Sequence, residues 1–192
     1  MNETLRTMSP QLERVVVEMD LATEKASVLV NRLTDGQFKE RVDPNSWSVA
    51  ECIVHLNLTS KEYLPLLDEA LERAVLEGTT GKPNLKMDVM GRMLKWSLEP
   101  PPRLKLKTTN QFQPQDIEPI GDILTTFANL QEQLKARIQK AANLAIDKVK
   151  ITSPFNHRVK YNLFSAFQIL VAHERRHLWQ AEQVRKAIEK AS

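Results

Sequence analysis

Apolar residues recur every three to four positions along four long stretches of the chain, and no stretch keeps the two-residue alternation of a strand. A stripe that repeats every 3.6 residues lies on one face of a helix, so the pattern predicts four amphipathic helices. They cover about residues 10–33, 49–77, 120–147 and 161–190. The sequence therefore predicts an all-α protein.

Capping residues mark the boundaries of the first two helices. Ser9 can cap the first helix, Pro10 suits its first position, and Asp35-Gly36 is expected to close it. At the second helix, Ser48 and Glu51 have the spacing of a capping box, in which each side chain binds the other residue's free backbone amide. These signals predict that the two helices begin at residues 10 and 49.

The connection between the second and third helices, residues 78–118, differs in composition. It holds three of the five glycines and the run Pro100-Pro101-Pro102, and an amphipathic stretch over about residues 87–98 predicts one brief helix. About 40 residues is far above the usual ~2–8 between helices of a bundle, so this connection can cross the bundle. We therefore predict a single domain over residues 1–192, a four-helix bundle with one long crossover.

Composition excludes several classes of protein. The 27 Lys and Arg against 24 Asp and Glu give a net charge of +3, too balanced for a nucleic-acid protein. Five glycines and no Gly-rich phosphate loop argue against a nucleotide enzyme. No apolar run approaches the ~18 residues of a membrane span, and the first residues lack an export signal. Cys52, the single cysteine, cannot form an internal disulfide, so we expect a cytoplasmic protein.

Two histidines of the fourth predicted helix stand where a core would hold apolar residues. His173 and His177 are four residues apart and fall within the apolar stripe of that helix. Burying two imidazoles without partners is costly, and either hydrogen bonds within the core or a metal ion would satisfy them. His55, at the flank of the second helix's stripe, is the candidate third ligand. Three imidazoles leave at least one position of an ion open, as in catalytic sites.

Residues 173–177 also match the HExxH pattern of zinc metalloproteases, in which the glutamate is the general base. That interpretation is weak, because no Gly-x-x-His continuation follows and no strand pattern offers an edge to a peptide. Glu174 is a candidate catalytic base, although adjacent residues of a helix point about 100° apart. This angle favours a surface or outlying position for Glu174.

Three further residues near the histidines have alternative interpretations. Cys52 lies one turn before His55 and is either a thiolate ligand or, as we favour, a small buried apolar residue. Gln180 lies on the same side of its helix as His173 and is a candidate to orient a ligand. For His157, ahead of the fourth helix, a solvated loop position is favoured over the mouth of the site.

Three segments resemble motifs of the DinB-like superfamily, in the right order along the chain. Residues 46–56, SWSVAECIVHL, resemble the W-S/T-x-x-E-x-L-x-H-L opening of its second helix. Residues 172–180, AHERRHLWQ, resemble its closing H-x-x-R-H-x-x-Q signature, and residues 111–114, QFQP, resemble its central loop. One departure is the lack of a glycine after Pro154, where the family often has a Pro/Gly turn.

The resemblance implies a four-helix bundle in which His55, His173 and His177 bind one divalent metal ion, often nickel or zinc. Members with known activity include thiol S-transferases and isomerases that use low-molecular-weight thiols, and metal-dependent hydrolases. We therefore expect a metal-dependent thiol S-transferase acting on a small molecule. A metal-dependent hydrolase and a non-catalytic metal- or ligand-binding bundle are the alternatives. The resemblance does not imply DNA binding, and we expect neither a nucleic-acid nor a membrane partner.

The crossover also carries an apolar face, formed by Met87, Met90, Leu94 and Trp96. Four helices that already face the core are expected to leave part of this face uncovered, and exposed apolar patches usually mark an interface. A two-fold dimer is the commonest closed assembly. We therefore predict a homodimer, with this segment either at the interface or closing the metal cleft.

Overall fold

The structure, a computed structural model, describes residues 8–78, 84–103 and 108–191. These residues are mostly helical, with one small antiparallel sheet. The helices are α1 (Pro10–Val30), α2 (Asp35–Lys39), α3 (Val49–Leu76), α4 (Val89–Leu98), α5 (Ile120–Lys140) and α6 (Leu163–Ala191), with a 3-10 helix at Asn110–Phe112. The strands are β1 (Lys150–Ser153) and β2 (Asn156–Asn162).

The four long helices, α1, α3, α5 and α6, pack through their apolar faces. α1 and α3 each contact both α5 and α6, and large side chains such as Tyr63, Phe127 and Phe167 are fully buried. The predicted starts at residues 10 and 49 are confirmed, because Ser9 caps α1 and the predicted capping box caps α3. None of the helices in the described ranges is both long and apolar enough to cross a membrane.

Two predicted helix ends are wrong, and a residue with positive φ follows each true end. α5 ends at Lys140 rather than near residue 147, and Asn143 has a φ of 66°, a left-handed conformation that asparagine tolerates. α1 ends at Val30, and Arg32 has a φ of 69°. Asp35-Gly36 does not close α1; these residues begin α2 instead.

The prediction of an all-α chain omits the antiparallel hairpin of β1 and β2. Ile151 pairs with Tyr161 across the two strands, and both side chains are buried. The Tyr161 hydroxyl lies 2.5 Å from the Tyr63 hydroxyl of α3. An isolated two-stranded hairpin is marginally stable at best, so packing against the helices holds this one in place. The two strands together hold only Ile151, Val159 and Tyr161 as apolar residues, too few to show the alternation of a strand in the sequence.

The predicted brief helix of the crossover is confirmed as α4, which packs on α6. Asp88 caps α4, and its carboxylate accepts hydrogen bonds from the Ser165 hydroxyl, at 3.1 Å, and from the Asn162 backbone N–H, at 2.9 Å. Gly91 permits this close approach, because a Cβ there would lie 2.2 Å from Ser165 Oγ. The crossover is thus anchored on the helix that carries two of the histidines.

Much of the apolar face of the crossover is covered by the chain itself. Met87, Met90 and Leu94 are partly buried against the core. Trp96 is 57% exposed, and the Arg103 guanidinium lies 4.8 Å from its ring centroid. The exposed apolar residues of α4 are Val89, Met93 and Trp96.

Candidate metal centre

The start of α3 fixes the position of His55. Glu51 accepts a hydrogen bond from the Ser48 backbone N–H at 2.8 Å and donates its own N–H to Ser48 Oγ at 3.1 Å, which holds the first turn. The buried His55 ring lies one turn further on, and its Nδ1–H donates to the Phe112 carbonyl at 2.8 Å. Because a carbonyl only accepts, Nε2 of the neutral ring keeps a free lone pair.

His173 and His177 lie one turn apart on α6, and both are buried, as their place in the apolar stripe predicts. The Nδ1–H of His177 donates to Gln180 Oε1 at 3.1 Å, which agrees with the expectation that Gln180 orients a ligand. Nδ1 of His173 is buried and has no hydrogen-bond partner in the described part of the chain. The two histidines of α6 are therefore held in different ways.

The three histidine rings converge between α3 and α6. Nε2 of His55 lies 3.2 Å from Nε2 of His173, and the His177 ring centroid lies 4.5 Å from each of the other two. One nitrogen from each ring lies within 4.8 Å of the others. Two nitrogens bound to one zinc ion at ~2.0–2.1 Å with tetrahedral geometry are about 3.3 Å apart. The spacing of His55 and His173 therefore fits two ligands of one ion.

Burial keeps the three imidazoles neutral. It lowers the pKa of His55 to about 4, although the hydrogen bond to the Phe112 carbonyl raises that pKa. Burial also lowers the pKa of His173 and His177 well below the usual value, and the His55 ring and the Arg176 guanidinium lower both further. Neutral imidazoles with free lone pairs are the form that binds a metal ion. Three such nitrogens suit zinc or nickel and leave a position open for a further ligand.

Aromatic side chains from three separate segments surround the histidines. Trp47, just before α3, lies 4.8 Å from the ring of His55 and 5.6 Å from that of His177. The ring of Phe155, in the turn of the hairpin, lies 5.5 Å from the ring of His173 and 4.2 Å from that of Phe112. Sequence reasoning gave none of the three a role. Trp47 and Phe112 stand within the quoted motifs, but Phe155 belongs to the hairpin that the periodicity missed.

Glu174, the candidate base, lies outside the three-histidine group. Glu174 is 2% exposed, so it is not at the surface and occupies the outlying position that was the other half of the expectation. Its Oε1 accepts a hydrogen bond from Gln131 Nε2 of α5 at 2.8 Å, and burial raises its pKa to about 7. One carboxyl oxygen thus contacts α5, while Oε2 is buried without a partner among the described residues. A catalytic role for Glu174 stays a prediction.

Cys52 and His157 also lie outside the three-histidine group. Cys52 is fully buried within an apolar cluster, as the favoured interpretation predicts, and burial raises the pKa of its thiol. His157 is exposed, although it lies on β2 rather than in a loop.

Comparison with known proteins agrees with the resemblance of the motifs. The family model described as the DinB superfamily matches residues 18–181 of this chain. The matched range extends from within α1 to within α6 and includes all three histidines. No curated protein and no solved structure gives a significant match to the chain.

Proposed function

Because this chain belongs to the DinB superfamily, we propose that it binds one divalent metal ion, zinc or nickel, through His55, His173 and His177. The observation that carries the proposal is the convergence of three buried, neutral imidazoles, with one nitrogen of each within 4.8 Å of the others. No carboxylate or thiol of the described residues belongs to this group. A single cation would satisfy the three lone pairs together.

The proposal includes the architecture that the family implies, a four-helix bundle in one domain with residues 78–118 as its crossover. Direct packing of α3 against α6 supports it, since these helices carry the three ligands. The crossover adds the Phe112 carbonyl, which orients His55. Both the helices and their long connection would therefore be needed to hold the ion.

The reaction that we propose is transfer of a low-molecular-weight thiol to a small electrophile. A divalent ion at the three histidines would supply an open position at which a thiol binds and ionises. The thiol proton would pass to water. The sulfur would form a bond to an electrophilic carbon of the substrate, and the leaving group on that carbon would depart with its electron pair.

One feature of the site favours thiol transfer over hydrolysis. The Arg176 charge, which acts on His173 and His177, would stabilise either a thiolate or a hydroxide and does not distinguish the two reactions. Glu174, the candidate base for a hydrolase, is hydrogen-bonded to Gln131 instead.

The protein loaded with zinc or nickel is expected to accelerate the reaction of at least one low-molecular-weight thiol with an alkylating or arylating electrophile. His177→Ala should fall to the uncatalysed rate, because two imidazoles would hold the ion poorly, whereas His157→Ala should keep the wild-type rate. Initial rates across a panel of thiols, with a parallel panel of esters and amides, measure both reactions. Equal rates for wild type and His177→Ala in both panels would exclude metal-dependent catalysis. If His177→Ala loses only the cleavage of esters or amides, the protein is a hydrolase rather than a thiol transferase.

The homodimer stays a prediction, now limited to the exposed side chains of α4. Light scattering at micromolar concentration is expected to give about twice the chain mass of 22.0 kDa. Trp96→Lys should lower this mass by placing a charge in the interface, whereas Val17→Lys on α1, where Val17 is 55% exposed, should not. A monomer mass for the wild type would reject the dimer and leave the metal site unaffected.

A further inference from the structure

We infer that Phe155 is a positioning residue for His173, holding by ring packing the one of the three clustered histidines whose Nδ1 has no hydrogen-bond partner among the described residues. The inference rests on the proposed metal site and concerns how the chain holds its three ligands. It assigns a function to the hairpin, which brings this side chain to the site.

The three histidines differ in how their Nδ1 atoms are held. His55 donates to the Phe112 carbonyl at 2.8 Å, and His177 donates to Gln180 Oε1 at 3.1 Å. Such bonds fix the orientation of a histidine ring and leave Nε2 for a metal. Nδ1 of His173 is buried without a partner in the described residues, so no hydrogen bond to Nδ1 sets the orientation of this ring.

Phe155 is placed to set that orientation by contact. Its ring centroid lies 5.5 Å from that of His173, with a tilt of 54°, and 6.5 Å from that of His55. These distances fall in the range of favourable aromatic pairs. Rotation of an imidazole about its last side-chain torsion is only weakly restricted by intrinsic preference. The Phe155 ring, by occupying the space beside the His173 imidazole, therefore restrains the rotation of that imidazole.

Neighbouring residues hold the Phe155 side chain in place. Its ring packs 4.2 Å from Phe112 and 6.4 Å from Tyr63 of α3. Its backbone N–H donates to Ser153 Oγ at 3.3 Å, which shapes the turn. The hairpin is fixed in turn by the contact between the hydroxyls of Tyr161 and Tyr63. The position of Phe155 is thus set by the core and transmitted to His173.

Cobalt(II) titration of the metal-free full-length protein tests this inference, since the visible absorption of the bound ion reports both affinity and ligand geometry. Phe155→Ala is expected to bind about tenfold more weakly than wild type, at the lower end of the ~10–100-fold typical for residues that support metal ligands. Its absorption bands should also shift, because His173 would sample other orientations. Phe155→Leu keeps an apolar side chain of similar size and should recover most of the affinity.

Val159→Ala is the matched control, because Val159 lies on the same hairpin and is partly buried against the core. It should bind as wild type does. Circular dichroism of each variant checks that the helices are retained. Wild-type affinity and spectrum in Phe155→Ala, or an equal loss in Val159→Ala, would overturn the inference while leaving the metal site intact. A wild-type protein that binds no cobalt, zinc or nickel would instead overturn the proposed function.

Discussion

Replacing His173 with alanine is expected to remove the metal ion from a protein that otherwise binds about one ion per chain. The substitution deletes the ring whose Nε2 lies 3.2 Å from that of His55, and so breaks the pair whose spacing fits two ligands of one ion. Residues that merely support metal ligands change affinity by ~10–100-fold, so loss of a ligand should cost more than about 100-fold.

Elemental analysis of protein purified without an affinity tag measures this effect, before and after incubation with zinc or nickel. His157→Ala is the control, because His157 is exposed on β2 and belongs to no cluster of possible ligands among the described residues. It should keep the wild-type metal content. Fewer than ~0.1 ions per wild-type chain after incubation would show that the three histidines are not a metal site.

Replacing Phe112 with alanine is expected to cost about 3–5 kcal/mol of folding stability, the usual range for a buried phenylalanine. The ring is fully buried and packs against Phe155, so its loss leaves a cavity between the crossover and the site. For a chain of this length, that cost lowers the melting temperature by roughly 6–20 °C. Metal affinity should also fall, because loss of the buried ring loosens the segment whose backbone carbonyl accepts from the Nδ1–H of His55.

Thermal unfolding followed by circular dichroism, on metal-free protein, isolates the contribution of packing. Phe112→Leu refills most of the cavity and should lose much less stability than Phe112→Ala. Val42→Ala, at a side chain that is 52% exposed, should change stability by no more than about 0.5 kcal/mol. A melting temperature for Phe112→Ala within about 2 °C of wild type would show that the 3-10 helix of the crossover contributes little to the core.

The sequence alone determined the features that depend on neighbours within a few turns. The period of 3.6 residues located the four long helices, and the Ser48–Glu51 capping box located the start of α3. It also placed His173 and His177 on the buried face of α6, because residues four apart on a helix lie on one face whatever the rest of the chain does. The motifs identified the family, which the match over residues 18–181 shows.

Only the tertiary structure decided which distant residues meet. β1 and β2 hold too few apolar residues to be recognised by periodicity. Their packing through Tyr161 brings Phe155 to the histidines. Glu174 sits next to a predicted ligand in the sequence, yet its carboxyl group is buried against Gln131 of α5. A side chain's partners on other elements depend on how the helices pack, which local spacing does not contain.

The aromatic surroundings of the three histidines were also decided by the tertiary structure rather than by local sequence. Trp47, Phe112 and Phe155 lie far apart along the chain and meet around three rings because the crossover and the hairpin return to the parts of α3 and α6 that carry the histidines. Helical periodicity is a local property, since each residue's face follows from its neighbours. The path of a 40-residue connection is set by all the contacts it makes at once, so its contribution to the site emerged only when the chain was seen folded.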